Sequence, residues 1–499
     1  MYFIVKYYKI PLGFIMDIIE IIENNRIQAT KDVEISKQKL YEQYFTPSDI
    51  ANYMSNLFSN FEKENISILD AGAGVGNLGA ICSLKYLNSG KNSFVSLTSI
   101  EWDKNLLEYL KGNIQEIQNK YINFHASIYN EDFYFIAQKL LTEGISFDRI
   151  IINPPYSLIS KTNNEQLEIL KKLDVSTPNT YSNFIELCYR LLSDKGELVA
   201  IVPRSFCNGT RFTKFRKKML KNVKIEFIHL FESRKEVFKE YGVFQEVVII
   251  KLTKKKIKKT KICISDKLND NCCEKFNFDQ ITFKNDPYSF IHIPSKTDDL
   301  EIVNKISKLS SSLNELGLSI STGKVVEYRE EYLTEEDYIE NARILYQRHV
   351  RSDEIDLSVY NPSKPFLKQN EITKKKMIPK GNYIIIKRMS YKENKKRINT
   401  GILKKEHFDR THMTVENHLN YIHKDSCGLD ENLIYGLNAY LNLEIVDKYV
   451  RRFSGHTQIN ASDICSLPMP NIEVLKKVGE KIMNKKNNDY SIEELFFNK

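Results

Sequence analysis

"ILDAGAGVGNLG", residues 68–79, is the stretch on which the fold turns. Ile66, Ile68 and Leu69 form a short apolar run that reads as a buried strand. Asp70 stands at its end. Gly72, Gly74 and Gly76 follow, and glycines let a backbone turn tightly and approach a ligand closely. An apolar segment with helical spacing comes next. Strand, glycine turn and helix in that order open a βαβ unit. Outward from it lie further strand-like runs: "FVSLTSIE", "FDRIIINPP", "GELVAIVP", "KIEFIHLF" and "EVVIIKL". Helical patterns over 47–59, 103–119 and 181–193 fall among them. Such alternation predicts an α/β fold with a parallel, doubly wound sheet.

The rhythm runs from about residue 48 to 260. It closes on "KKKIKKTK", 254–261, a surface strand end or boundary. Beyond it, short strand-like pieces, turns and lysine clusters read as a second, mixed α+β domain. The expected divisions are an N-terminal extension and helix (1–39), the α/β domain (40–260), the mixed domain (261–470) and a charged helical tail (471–499). Residues 16–43 read as a helical lead-in opened by Met16. Met16 is also the expected start of translation, with residues 1–15 an upstream extension.

Composition narrows the class. Over 499 residues the chain is 42% hydrophobic and 27% charged, ordinary for a water-soluble protein. Its net charge of +9 suits a polyanionic partner without requiring one. No apolar run approaches the roughly 20 residues of a membrane span, and no signal-peptide cleavage site follows the first segment. The eight cysteines contain no C-x-x-C pair, which disfavours a zinc site or a disulfide scaffold. Reduced thiols in a cytoplasm are the expectation. No metal ligand set is predicted.

The order acid, small, Gly, small, Gly at 70–74 resembles the cofactor loop of S-adenosylmethionine-dependent methyltransferases. Asp70, Gly72 and Gly74 then become cofactor contacts. The next strand ends on Glu101, and an acid there suits a ribose diol, which offers two donors to a carboxylate. The alternative is a cap for the helix near Asp103. Trp102 lies either beside the cofactor's adenine or in the core. Asp132 and Phe133, near the next strand, are candidate cofactor contacts, the acid as acceptor of the adenine's exocyclic amine. Upstream, Tyr44, Phe45 and Thr46 precede Pro47 at a helix start. Thr46 is either a plain N-cap or part of a turn over the methionine end of the cofactor.

"NPPY", Asn153, Pro154, Pro155 and Tyr156, ends a core strand abruptly. Prolines there can simply mark a turn. The alternative is catalytic. An exocyclic amine is a poor nucleophile because its lone pair is delocalised. The Asn153 side-chain oxygen and the Pro154 carbonyl could accept its two N–H bonds. Tyr156 could stack on a base taken out of the duplex, with Phe206 on its other face or merely in the core. The Ser/Thr/Asn-rich stretch 157–180 could be a lid or a plain loop.

Phe-Thr-Pro, the glycine loop, Asn-Pro-Pro-Tyr some eighty residues later and a long C-terminal region occur in that order. The chain thereby resembles the gamma class of DNA adenine-N6 methyltransferases of type II restriction–modification systems. The segment 180–220, with "GELV" and "VPRSF", and later pieces such as "IIIKRMSYKENKKR" and "ENHLNYIH" carry the likeness across most of 40–470. The resemblance implies a Rossmann-like catalytic domain, a target-recognition domain and S-adenosylmethionine as cofactor. It implies double-stranded DNA as substrate, a separately encoded companion endonuclease, a cytoplasmic location and, by expectation, a monomer. Arg211, Lys214, Arg216, Lys387 and Arg388 are candidate phosphate contacts. The alternatives are amino-group transfer to RNA, to protein glutamine or to cytosine N4. A cytosine C5 enzyme would need a thiolate, and no cysteine stands in a catalytic motif.

Overall fold

The computed structural model describes residues 12–33, 44–60, 64–89, 94–157, 163–175, 179–231, 247–265, 268, 273–283, 286–294, 301–302, 305–306, 308–309, 311–351, 353–360, 362–391, 394–453, 458–484 and 491–497. The chain divides into two compact units, with the boundary after Phe278.

The first unit is built on a sheet of nine strands among the described residues. They are β1 (Asn65–Ala71), β2 (Phe94–Ile100), β3 (Phe124–Tyr129), β4 (Phe147–Ile152), β5 (Leu192–Pro203), β6 (Lys224–Leu230), β7 (Val247–Thr253), β8 (Lys259–Ile264) and β9 (Cys273–Asn277). The order is β3-β2-β1-β4-β5-β7-β6-β8-β9. Its helices are α1 (Leu12–Asp32), α2 (Ser48–Asn56), α3 (Asn77–Asn88), α4 (Leu107–Gln118), α5 (Phe133–Thr142), α6 (Asn164–Lys172), α7 (Thr180–Arg190) and α8 (Thr213–Asn222). Strand order reverses between β1 and β4, so a crevice opens at their carboxyl ends. The glycine turn follows β1 and Asn-Pro-Pro-Tyr follows β4, which delivers both motifs to that crevice.

The expected parallel, doubly wound sheet is present, with one departure at β7, which runs antiparallel to both β5 and β6, and another at β9, antiparallel to β8. All seven residues of β7 are buried. Burial on both faces removes the alternation that would mark an antiparallel strand, so its sequence reads like its parallel neighbours. The boundary expected at 260 also moves. Strands β8 and β9 extend the sheet beyond β6, and the first unit ends at Phe278. Cys263 and Cys273 face each other across β8 and β9 and form a disulfide, so the expectation of reduced thiols does not hold for this pair. Helix α7 stops at Arg190, because β5 begins at Leu192. Helix α1 begins at Leu12 and runs through Met16, so Met16 does not open it. The rest of the expected lead-in, 34–43, lies outside the described residues. Within the stretch read as a lid or loop, Asn164–Lys172 is helical and Asn163 caps it. Residues 158–162 and 176–178 lie outside the described residues.

Three neighbouring strands bury a charge network. Glu197 on β5 sits between Arg149 on β4 and Lys251 on β7, at 3.8 and 3.2 Å. The Arg149 and Glu197 side chains are at most 1% exposed. Glu197 also meets Lys255 at 2.6 Å and accepts the Ser59 N–H at 2.9 Å. Arg149 donates to the Tyr86 hydroxyl and the Ser59 carbonyl. Charges this deep persist only when paired and hydrogen-bonded.

Among its described residues, the second unit has two further sheets and a set of helices. One sheet has β10 (Ser319–Thr322), β13 (Val350–Arg351), β14 (Asp353–Ile355), β17 (Tyr383–Lys387), β18 (Thr400–Leu403) and β20 (Leu419–His423), in the order β10-β20-β17-β18-β14-β13. The other has β11 (Leu333–Thr334), β12 (Ala342–Leu345), β15 (Phe366–Leu367), β16 (Met377–Pro379) and β19 (His412–Val415), in the order β11-β15-β12-β19-β16. The helices are α9 (Glu431–Leu441), α10 (Glu444–Phe453), α11 (Ala461–Cys465), α12 (Ile472–Met483) and α13 (Ile492–Phe497). The mixed α+β character is as expected. The separate tail at 471–499 is not, because Leu475, Val478 and Phe496 belong to the core of this unit. Gly436 on α9 and Gly479 on α12 permit close contact. A Cβ on Gly436 would lie 1.8 Å from the Leu475 carbonyl oxygen. Among the described residues, no helix is long and apolar enough to cross a membrane.

Candidate active site

The turn after β1 needs its glycines. Gly72, Gly74 and Gly76 have φ of +75°, +57° and +86°, a region that side chains disfavour. The Gly72 and Ala73 N–H groups both donate to the Ile100 carbonyl at the end of β2, at 2.9 Å. Glu101 completes the tie. One carboxylate oxygen accepts the Gly74 N–H at 2.7 Å and the other accepts the Asp103 N–H at 2.8 Å. Glu101 thus braces the glycine turn and receives the N–H of Asp103, the residue that caps the following helical turn. Burial pushes its pKa up to about 7, although those two N–H donors oppose the rise.

Asp70 is fully buried and accepts the Gly79 N–H of α3 at 2.8 Å. Burial, followed by the charge of Glu101, also raises its pKa to about 7 against that hydrogen bond. Its side chain anchors the helix behind the turn and does not line the cleft. An acid at a strand end looks the same in sequence whether it faces a ligand or its own helix.

A small open cleft lies at the switch point. It is lined by Tyr44, Phe45 and Thr46, by the turn from Gly72 to Val75, by Asn77 and Leu78, and by Asn153. The structure thus brings together three of the separately read motifs. Glu101, Trp102, Asp132 and Phe133 lie outside that lining. Trp102 is 51% exposed, which removes the core alternative for it. Asp132 caps α5 through the Tyr134 N–H and accepts from Gln166. Phe133 is buried against Phe184, with ring centroids 4.5 Å apart.

Asn153 has a defined orientation. Its Nδ2 donates to the Tyr44 carbonyl at 2.8 Å and to the Thr46 hydroxyl oxygen at 3.1 Å. A carbonyl can only accept, so the amide nitrogen must face this turn and the oxygen must face away. The Tyr156 hydroxyl lies 3.2 Å from that oxygen and 3.3 Å from the Ile201 carbonyl. One hydroxyl proton cannot fully serve both acceptors, so the Asn153 oxygen retains accepting capacity. Tyr156 is only 8% exposed and packs edge-on to Tyr181. Asn179, which the sequence reading missed, caps α7 and donates to the Tyr156 carbonyl. The stretch "NTYSN" gave no chemical signal, because only the folded chain brings it beside Asn-Pro-Pro-Tyr.

Other candidates separate by burial. Phe206 is fully buried and packs edge-on to Phe215, so it is a core residue in this structure. Arg216 is equally buried, with its guanidinium on the Phe206 and Gly209 carbonyls at 2.7 Å, which corrects its reading as a phosphate contact. Arg211 is exposed over the Phe212 ring, and Lys214 is exposed 3.5 Å from Asp174. Arg388 donates to the Asn417 carbonyl and to Gln458, so its side chain is engaged in local structure. Lys387 is half-buried at the end of β17.

A Rossmann-like sheet whose antiparallel members among the described residues are β7 and β9, a glycine turn at its switch point and an amide presented beside that turn define a methyltransferase that draws on S-adenosylmethionine. The Eco57I restriction–modification methylase family matches residues 33–238. The Type II methyltransferase M.BsuBI of Bacillus subtilis is 35% identical, over 96% of this chain and 98% of its own length. The Type II methyltransferase M.PstI of Providencia stuartii is 34% identical, over 93% of each. The chain belongs to this family of restriction–modification methylases. Among solved structures, the Type IIL restriction–modification enzyme MmeI in complex with DNA shares the fold, with a TM-score of 0.50 and 14% identity over 95% of this chain and 72% of that one.

Proposed function

We propose that this methylase transfers a methyl group to the N6 amine of an adenine at a specific site in double-stranded DNA. The observation that carries this reading is the Asn153 amide, pinned by Tyr44 and Thr46 with its oxygen turned outward. Bound S-adenosylmethionine supplies an electrophilic methyl group. Asn153 Oδ1 and the Pro154 carbonyl accept the two N–H bonds of the target amine, which returns lone-pair density to nitrogen. The backbone rigidity of Pro154 and Pro155 holds these acceptors in place before the base arrives, as electrostatic preorganisation requires. Proximity supplies much of the remainder. The base must first leave the duplex, at a cost of a few kcal/mol. Tyr156 would stack on it after giving up its present packing.

Glu101 takes the ribose hydroxyls while still bracing the turn, and Trp102 lies on the adenine side. Phosphate contacts fall to Arg211, Lys214 and Lys387. The second unit reads the DNA sequence, a companion endonuclease cuts the same unmethylated site, and the enzyme works as a cytoplasmic monomer. Long-read sequencing of DNA from an expressing host, with modification calling, tests the reaction. N6-methyladenine in one sequence context is expected; N4-methylcytosine, or no modification from an active preparation, would refute it.

A pH dependence follows from Glu101. Its raised pKa of about 7 means that the free protein binds a proton near neutrality, whereas the ribose diol requires the carboxylate. Cofactor binding therefore releases that proton, and affinity rises with pH. S-adenosylhomocysteine should bind about tenfold more weakly at pH 6 than at pH 8. Calorimetric titration of wild type and Glu101→Gln checks this. A glutamine variant with the same slope would assign the effect to Asp70 instead.

A further inference from the structure

The geometry points to Asn77 as the residue that accepts the α-ammonium group of the cofactor's methionine portion. The assignment rests on the cofactor reading above and adds a contact that the motifs do not name. Asn77 is the first residue of α3, directly after the glycine turn, and it lines the cleft. It is 3% exposed. Its Nδ2 donates to the Thr46 carbonyl at 3.3 Å, which sets the orientation of the amide. Its Oδ1 is buried without a hydrogen-bond partner among the described residues.

A buried amide oxygen without a partner is costly, and native folds rarely leave one unexplained. The sign of the missing partner follows from the atom. An amide oxygen only accepts, so its ligand must bring a donor. Of the two charged groups on an amino acid, the carboxylate offers no donor and the ammonium offers three. The neighbouring acids do not compete for this place. Asp70 is wholly buried and does not line the cleft, and Glu101 is given to the ribose in the reading above. Thr46 links this contact to catalysis, because its carbonyl holds Asn77 while its hydroxyl holds Asn153. Asn77 is therefore placed to fix the methionine end of the cofactor relative to the amide that receives the target amine.

Two ligands separate this role from a structural one. S-adenosylhomocysteine carries the ammonium, and 5′-methylthioadenosine has the same nucleoside and sulfur without the amino acid. Asn77→Leu keeps the side-chain size and removes the acceptor. It should weaken S-adenosylhomocysteine binding by about 10- to 100-fold, the scale of one hydrogen bond to a charged group. It should leave methylthioadenosine within about twofold by calorimetry. Asn77→Asp retains an acceptor and should keep or improve S-adenosylhomocysteine affinity, and it serves if the leucine variant fails to fold. Equal losses for both ligands would overturn the assignment and leave Asn77 a brace between the turn and Thr46. No loss for either, or an aspartate variant as weak as leucine, would overturn it too. If wild-type protein binds neither ligand, the cofactor reading falls and this assignment falls with it.

Discussion

Asn153→Ala is expected to slow methyl transfer at least ~100-fold, the scale for removing one preorganised polar group. Binding of S-adenosylhomocysteine and of DNA should stay close to wild type. Alanine removes the oxygen offered to the target amine, and it also releases the Tyr44 carbonyl and the Thr46 hydroxyl from their shared donor. Both of those groups lie on an open cleft, where water can replace the lost donor. The defect should therefore appear in the chemical step. Single-turnover transfer of a labelled methyl group measures it without interference from product release. Thr46→Val, which leaves Nδ2 with the Tyr44 carbonyl alone, should give an intermediate rate. An alanine variant within a few-fold of wild type would remove Asn153 from the reaction, whatever the family likeness.

Glu197→Leu is expected to destabilise the first unit by about 3–5 kcal/mol, the usual cost of breaking a buried ion pair from one side. The side chains of Arg149 and Lys251 are 1% and 4% exposed, so neither cation can recover its hydration when the carboxylate goes. The same network sets an acid dependence. Burial by itself would raise the Glu197 pKa. Arg149, Lys251, Lys255 and the Ser59 N–H outweigh it and hold the value down at about 2. A folded pKa below the unfolded one means that this stabilisation is complete above the ordinary glutamate range, near pH 4 to 5. It is lost as pH falls towards 2. The single tryptophan, Trp102, belongs to the first unit, so its emission follows that unit's unfolding. Urea titrations at neutral and acid pH should show a lower midpoint for the variant and a flatter acid limb. A variant as stable as wild type would mean that the cations relax to solvent.

Local sequence determined the elements that bring the reaction together. The apolar run before Asp70, the positive-φ glycines and the proline-locked end of β4 each state a backbone geometry that neighbouring residues enforce. Strands β1, β2, β4, β5, β6 and β7 and the two motif-bearing turns were therefore legible from residues close in the chain. The tertiary structure decided how those pieces face one another. The direction of β7 was hidden because a strand buried on both faces shows no alternation. The roles of Arg216, Phe206 and Arg388 were hidden because a cation or an aromatic reads alike whether it meets DNA, a base or its own backbone. Asp70 turned out to hold a helix, while Asn77 and Asn179, to which the sequence reading gave no role, came to lie against the cleft and the Asn-Pro-Pro-Tyr turn. Burial and hydrogen-bond partnership depend on residues that can be more than a hundred positions away. Tyr44 and Asn153 are 109 apart, and only the folded sheet sets the carbonyl of one against the amide of the other.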